Sequence, residues 1–252
     1  MRKGTLKAIR QHAVEEFPNE CCGLVVAIDG KDVYRPCKNI SPEGEESFVM
    51  CPEDFARFED EGEILMVVHS HPNASAKPSE GDLVSIEEVQ IPFLIVSVYK
   101  DLITGEMVAE DYTITEPTGY EAPLIGRAWN PPQLDCYALV RDYYERELGI
   151  ELLDFERTKR AGSWWEDPEN ESLYLKHFEA AGFVQVDDGP QKHDVVIMTI
   201  SSRAGPNHAA IYLGDETGHI LHHLCDRLSG RVPYGGYWLD NTHMVVRHKE
   251  ML

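Results

Sequence analysis

The sequence predicts an α+β protein of two domains, and three observations predict it. The chain has 252 residues, where single domains usually run about 100–200. Helix-spaced segments alternate with short apolar runs in both halves. Between the halves, the stretch EPTGYEAPLIGRAWNPP holds four prolines and two glycines, a composition that favours a connecting segment over a helix or strand. The expected division is a first domain at 1–115, a linker at 116–131 and a second domain at 132–252.

The first element follows from Leu6, Ile9, Ala13, Val14 and Phe17, whose spacing predicts an amphipathic helix over 5–17 stopped by Pro18 and Asn19. CGLVVAI (22–28), the Asp29-Gly30 turn and KDVYRPC (31–37) predict a hairpin. EILMVVHSH (63–71) is a buried strand that runs into polar residues, PSEGDLVSIEEV (78–89) a helix, and IPFLIVSVY (91–99) a second buried strand. In the second half LDCYALVRDYYEREL (134–148) places Leu134, Leu139, Tyr143 and Leu148 near one helical face, and Gly149 closes it. Strands are expected at 194–200, 208–214, 219–224 and 243–248. The chain has no internal repeat.

Composition narrows the function classes. A hydrophobic share of 42% supports real cores. The net charge of -21 argues against direct nucleic-acid binding, which needs Lys and Arg on phosphates. No apolar run approaches the ~18 residues of a membrane span, and the first residues lack a signal-peptide core. Synthesis in a reducing cytoplasm is therefore expected. The six cysteines show no disulfide framework, and most are expected as small buried hydrophobes.

Two constellations carry chemistry. His69 and His71 alternate at the end of a strand, so both imidazoles point to one side. Asp82 follows near a helix start, where it can return to the strand end as a third ligand. Two imidazoles and a carboxylate leave zinc a fourth position, the arrangement of a catalytic metal. Ser79 to Asp82 also fits a helix capping box. Glu20 stands upstream at the entrance of another strand. In the second half, Cys136 opens a helix, where the terminal N–H groups are expected to lower its pKa. His208 opens a strand that can pack against that helix and serve as base. His222 is expected to orient it, with His223 on the opposite face.

A Glu followed at distance by His-x-His, seven residues, Ser, two residues and Asp resembles the JAMM (JAB1/MPN/Mov34) metallopeptidase motif, and Glu20, His69, His71, Ser79 and Asp82 fill every position. The resemblance implies a JAB/MPN-like α-β-α sandwich. It implies His69, His71 and Asp82 as zinc ligands, Glu20 as general base toward water, and Ser79 as donor to a developing oxyanion.

Asp-Cys-x-x-Leu-Val-Arg, then Asn-His-x-x-Ile-Tyr-Leu-Gly, then a further His resembles the NlpC/P60 cysteine peptidases. That implies a papain-like fold in which Cys136 attacks an amide carbonyl, with His208 as base, His222 as orienter and peptidoglycan peptides as substrate. The sequence departs from the family's usual Ser-Gly after the cysteine, having Tyr137-Ala138, and from its Gly-Asp, having His193-Asp194. No counterpart of the family's upstream tyrosine is evident.

The two motifs in this order, with the ending HHLCDRLSGRVPYGGYW, resemble the tail tip assembly proteins of lambda-like bacteriophages. The resemblance implies other phage tail tip proteins as partners, one with a ubiquitin-like domain as substrate of the metal site. It implies assembly in the host cytoplasm and residence at the virion tail tip. The alternative is a structural tail-tip component in which one or both sites are idle.

Overall fold

The structure is a computed structural model that describes residues 1–157 and 164–252. The chain forms two compact units, Met1–Glu121 and Ala122–Leu252. The stretch expected as linker is thus divided. Residues 116–121 end the first unit. Residues 122–131 are folded into the second, where the guanidinium of Arg127 is fully buried on Asp142 and the carbonyls of Ala122 and Pro123. Pro and Gly marked the absence of regular structure there, and the buried ion pair supplies the packing.

The first unit runs α1 (Lys3–Glu16), β1 (Cys22–Ile28), β2 (Lys31–Cys37), α2 (Pro52–Glu59), β3 (Glu63–Pro72), α3 (Glu80–Val89), β4 (Phe93–Lys100), β5 (Met107–Val108) and β6 (Tyr112–Thr115). Its sheet has the order β2-β1-β3-β4-β5, with β6 also on β4. Only β3 and β4 pair in parallel, the connection between them being α3. Alternation sorts the strands onto two cores. Ile9 and Ala13 of α1 pack with Val25, Val68, Leu94 and Val96 on one face. Phe58 and Ile86 of α2 and α3 pack with Leu24, Val26, Phe93 and Ile95 on the other. Helices therefore cover both faces, and the continuous apolar run of β1 reflects burial on both sides.

The second unit runs α4 (Cys136–Leu148), α5 (Leu173–His177), β7 (Phe183–Val186), β8 (Val195–Met198), β9 (His208–Tyr212), β10 (His219–His222), β11 (Gly230–Pro233), α6 (Tyr237–Asp240) and β12 (Thr242–His248). The sheet order is β11-β10-β9-β8-β12-β7, and every pairing is antiparallel. Leu139, Val140, Tyr143 and Tyr144 of α4 pack on Ile197, Ile211, Leu221 and Val246 of one sheet face. Asp135 caps the N-terminus of α4 by accepting from the Ala138 N–H at 2.7 Å. Gly149 ends it at φ +69°, the left-handed position that glycine occupies at least cost.

Four of the six cysteines, Cys21, Cys22, Cys37 and Cys136, are buried, and all six are free thiols. Among the described residues no helix is long and apolar enough to cross a membrane.

Candidate active sites

The register of the first unit builds the first site. Cys22 of β1 stands opposite His69 of β3, which brings Glu20, two residues earlier, to the same sheet end. His69 is 1% exposed; its ring stacks on Phe48 at 4.7 Å and meets the edge of Phe93. Ser79 and Asp82 do form the capping box of α3: the Ser79 hydroxyl accepts from the Asp82 N–H and donates to Oδ2, while the Ser79 N–H also donates to Oδ2. The box does not compete with the metal-ligand reading. It fixes the Asp82 carboxylate where both imidazoles reach it, His69 Nε2 at 3.1 Å from Oδ1 and His71 Nε2 at 3.4 Å from Oδ2.

Among the described residues this is the one group of three metal-capable side chains whose donor atoms converge. The two Nε2 atoms are 3.1 Å apart, and tetrahedral zinc ligands at about 2.0–2.1 Å from the metal stand about 3.3 Å from one another. The chemistry of the donors agrees. A carbonyl can only accept, so His71 Nδ1 donates to Ser75 O at 2.9 Å, which leaves Nε2 as the nitrogen facing Asp82 and the metal position. Burial opposes protonation of this ring, but its bonds to Asp82 and Ser75 raise its pKa. Burial pushes His69 down and keeps it neutral against the pull of Asp82. Burial opposes ionisation of Asp82 as well, but hydrogen bonds from His69 and His71 hold it far below the carboxylate range. The residues present fit a divalent zinc ion.

Glu20 is 7% exposed, and burial pushes its carboxyl up to about 8; His71 opposes this and Asp82 adds to it. Its backbone is tied down by Gly44 O and by Asn39, whose amide donates to Glu20 O and Ser47 O and accepts from Ser41 and Val49. Asn39 thereby links Glu20 to the loop that carries Phe48. Neither residue had a signal in the sequence, because each acts through a partner distant in the chain.

In the second unit the sulfur of Cys136, a residue 7% exposed, lies 3.0 Å from the Tyr174 hydroxyl and receives the Ala209 backbone N–H. Ala209 follows His208, whose Nε2 is 3.2 Å from His222 Nδ1. His223 faces the other way, onto Arg227 O and the edge of Trp129. Trp238 meets the His222 ring edge-on at 4.5 Å, a contact the sequence did not suggest.

The expected fall in the Cys136 pKa is not what the structure has. Burial, and then the Asp135 carboxylate, push the thiol up to about 11, although Tyr174 and Ala209 pull the other way. A helix terminus contributes about 0.3–1 kcal/mol, whereas full burial can move a pKa by about 3–5 units. Burial wins.

Burial likewise lowers His208 to about 3 and His222 to about 4, helped by their neighbouring histidines. Unfolded, both would take protons near pH 6.5. Their contribution to stability is therefore complete above that pH and lost as pH falls through 6.5 toward 4. Thermal melts are expected to show the second unit losing a few kcal/mol between pH 7 and 4. In His208→Gln that decline should be smaller; an identical pH profile in the variant contradicts the burial of a neutral His208.

The family model described as prokaryotic homologs of the JAB domain matches residues 2–110, and that of the NlpC/P60 family matches residues 126–247. The tail tip assembly protein K of Escherichia phage N15 is 39% identical over 251 residues, 100% of this chain and 97% of the relative. That of Escherichia phage lambda is 35% identical over 204 residues, 79% and 89% of the two chains. Among solved structures, a JAB1/MPN domain protein from Archaeoglobus fulgidus is 24% identical, covering 48% of this chain and 89% of the other, with a TM-score of 0.29.

Proposed function

The chain belongs to the tail tip assembly protein K family, a JAB domain followed by an NlpC/P60 domain, and on that premise we propose a tail-tip protein with two peptidase sites. The cysteine site cleaves peptide bonds of bacterial peptidoglycan. The metal site cleaves a peptide bond in a neighbouring tail protein, one with a ubiquitin-like domain. The protein assembles in the host cytoplasm with other tail tip proteins and remains at the virion tail tip.

The observation that supports the reading is the buried pair His208 and His222 on the sheet whose Ala209 N–H, next to His208, donates to the Cys136 sulfur. With Nε2 of His208 on His222, its Nδ1 is the nitrogen left to serve as base, and this requires that Nε2 carry the proton and donate it to His222 Nδ1. Both imidazoles are neutral at pH 7, so His208 is ready to accept. In the first step the Cys136 proton passes to His208 Nδ1 while sulfur bonds the substrate carbonyl carbon. His208 then returns the proton to the departing amine as the C–N bond breaks. Water hydrolyses the thioester and restores the thiol.

At the other site His69, His71 and Asp82 would hold zinc, which supplies a Lewis acid for the carbonyl and water activation. Glu20, in the ionised fraction that a pKa of about 8 leaves near neutrality, takes a proton from the attacking water and delivers it to the leaving nitrogen. The single hydroxyl proton of Ser79 rests on Asp82 Oδ2 and would swing from it to the oxyanion as that charge develops.

A second reading is favoured by one observation, the buried, un-ionised thiol of Cys136: the units are structural parts of the tail tip and the sites are idle. Infectivity decides. Phage carrying Cys136→Ala are expected to assemble complete tails and adsorb, but to deliver DNA at least tenfold less well into cells with an intact wall. Normal plaque formation by that mutant, with failure only of deletions, supports the scaffold.

A further inference from the structure

The tyrosine at the nucleophile is placed by a chain of contacts that runs from its helix to the loop before His208. Short helix α5 is capped by Ser172, whose hydroxyl accepts from the Leu175 N–H and donates to Pro206 O at 2.5 Å. Asn207 next holds its loop by exchanging two hydrogen bonds with Ile200, and His208 follows directly. One buried serine thus ties the helix bearing Tyr174 to the turn that aims the base. Among the described residues the Tyr174 hydroxyl bonds Cys136 Sγ alone.

We infer that Tyr174 is a further catalytic residue of the cysteine site, its hydroxyl donating to the Cys136 sulfur and stabilising the negative charge that develops there as His208 takes the proton. The inference rests on the reading of Cys136 as nucleophile. The direction of the bond follows from chemistry. A thiol is a weak donor, the sulfur already accepts the Ala209 N–H, and burial beside Cys136 holds the phenol proton well above its ordinary pKa. Tyrosine therefore keeps its proton through the reaction. Two donors on one sulfur are what a thiolate buried near the Asp135 carboxylate needs in order to form, since a buried charge without hydrogen bonds is costly.

Rates of Cys136 alkylation by iodoacetamide at pH 8, mapped peptide by peptide, test this without any peptidase substrate. Loss of the hydroxyl in Tyr174→Phe should raise the thiol pKa by about one unit and cut the thiolate about tenfold, while the more basic sulfur regains part through its nucleophilicity. The expected net result is labelling about three- to fourfold slower than wild type. Labelling at the same rate or faster overturns the inference, because a tyrosine that only covers the sulfur would expose it when trimmed. A thermal melt of the second unit reports unfolding. Should Tyr174→Phe unfold, Ser172→Ala decides: it unpins α5 and leaves the ring, and slower labelling is expected, with an unchanged or faster rate overturning the inference. Failure of the proposed function would appear elsewhere, as peptidoglycan left intact by the wild-type protein.

Discussion

Cys136→Ala is expected to lose release of stem-peptide fragments from purified peptidoglycan by a factor on the order of 10⁴ or more, the scale on which removal of a covalent nucleophile falls. The variant should keep its fold. Alanine is a small replacement for a side chain at the first turn of α4, and the cap from Asp135 to Ala138 uses neither the sulfur nor its partners. The wild-type pH profile carries a second signature. Neutral His208 and un-ionised Cys136 coexist between about 4 and 11, so cleavage should vary little from pH 5 to 9, with no thiolate absorbance near neutrality. A resting ion pair, visible as that absorbance at pH 7, would contradict the account of how burial sets these groups.

The second large effect is on metal content. His71→Ala should lower zinc affinity by more than about 100-fold, because loss of an outer-shell partner alone costs about 10–100-fold and here a ligand itself is removed. His71 is the better choice than His69, which is packed between Phe48 and Phe93 and would leave a cavity. Elemental analysis should give one zinc per wild-type chain and none for the variant, with peptidoglycan cleavage unchanged. Equal zinc in both proteins would remove His71 from the ligand set.

Much of this arrangement was legible in the sequence. The bounds of β1 and β2 follow from an apolar run, an Asp-Gly turn and a second run. Period-two alternation correctly put His69 and His71 on one side, and separated His222 from His223. Elements of two to four residues, such as β5, β7 and β11, are too short to display a period. Helix α2 was legible but missed: Pro52 at its first position and Glu53 and Asp54 in its first turn are start signals. What sequence could not give is convergence between distant elements. Tyr174 reaches Cys136 across 38 positions, and Asn39 grips Glu20 across the open end of the hairpin. The thiol pKa failed for a related reason: helix position is local and visible, while the larger effect, burial, belongs to the folded whole.

The central claim is that one chain holds two independent hydrolytic sites. Mass spectrometry of purified peptidoglycan and of co-encoded tail proteins, each incubated with zinc-loaded wild type, His71→Ala and Cys136→Ala, tests it most directly. The account predicts peptidoglycan fragments from wild type and His71→Ala alone, and a clipped tail protein from wild type and Cys136→Ala alone. Identical products from all three proteins, or none from wild type, would contradict it.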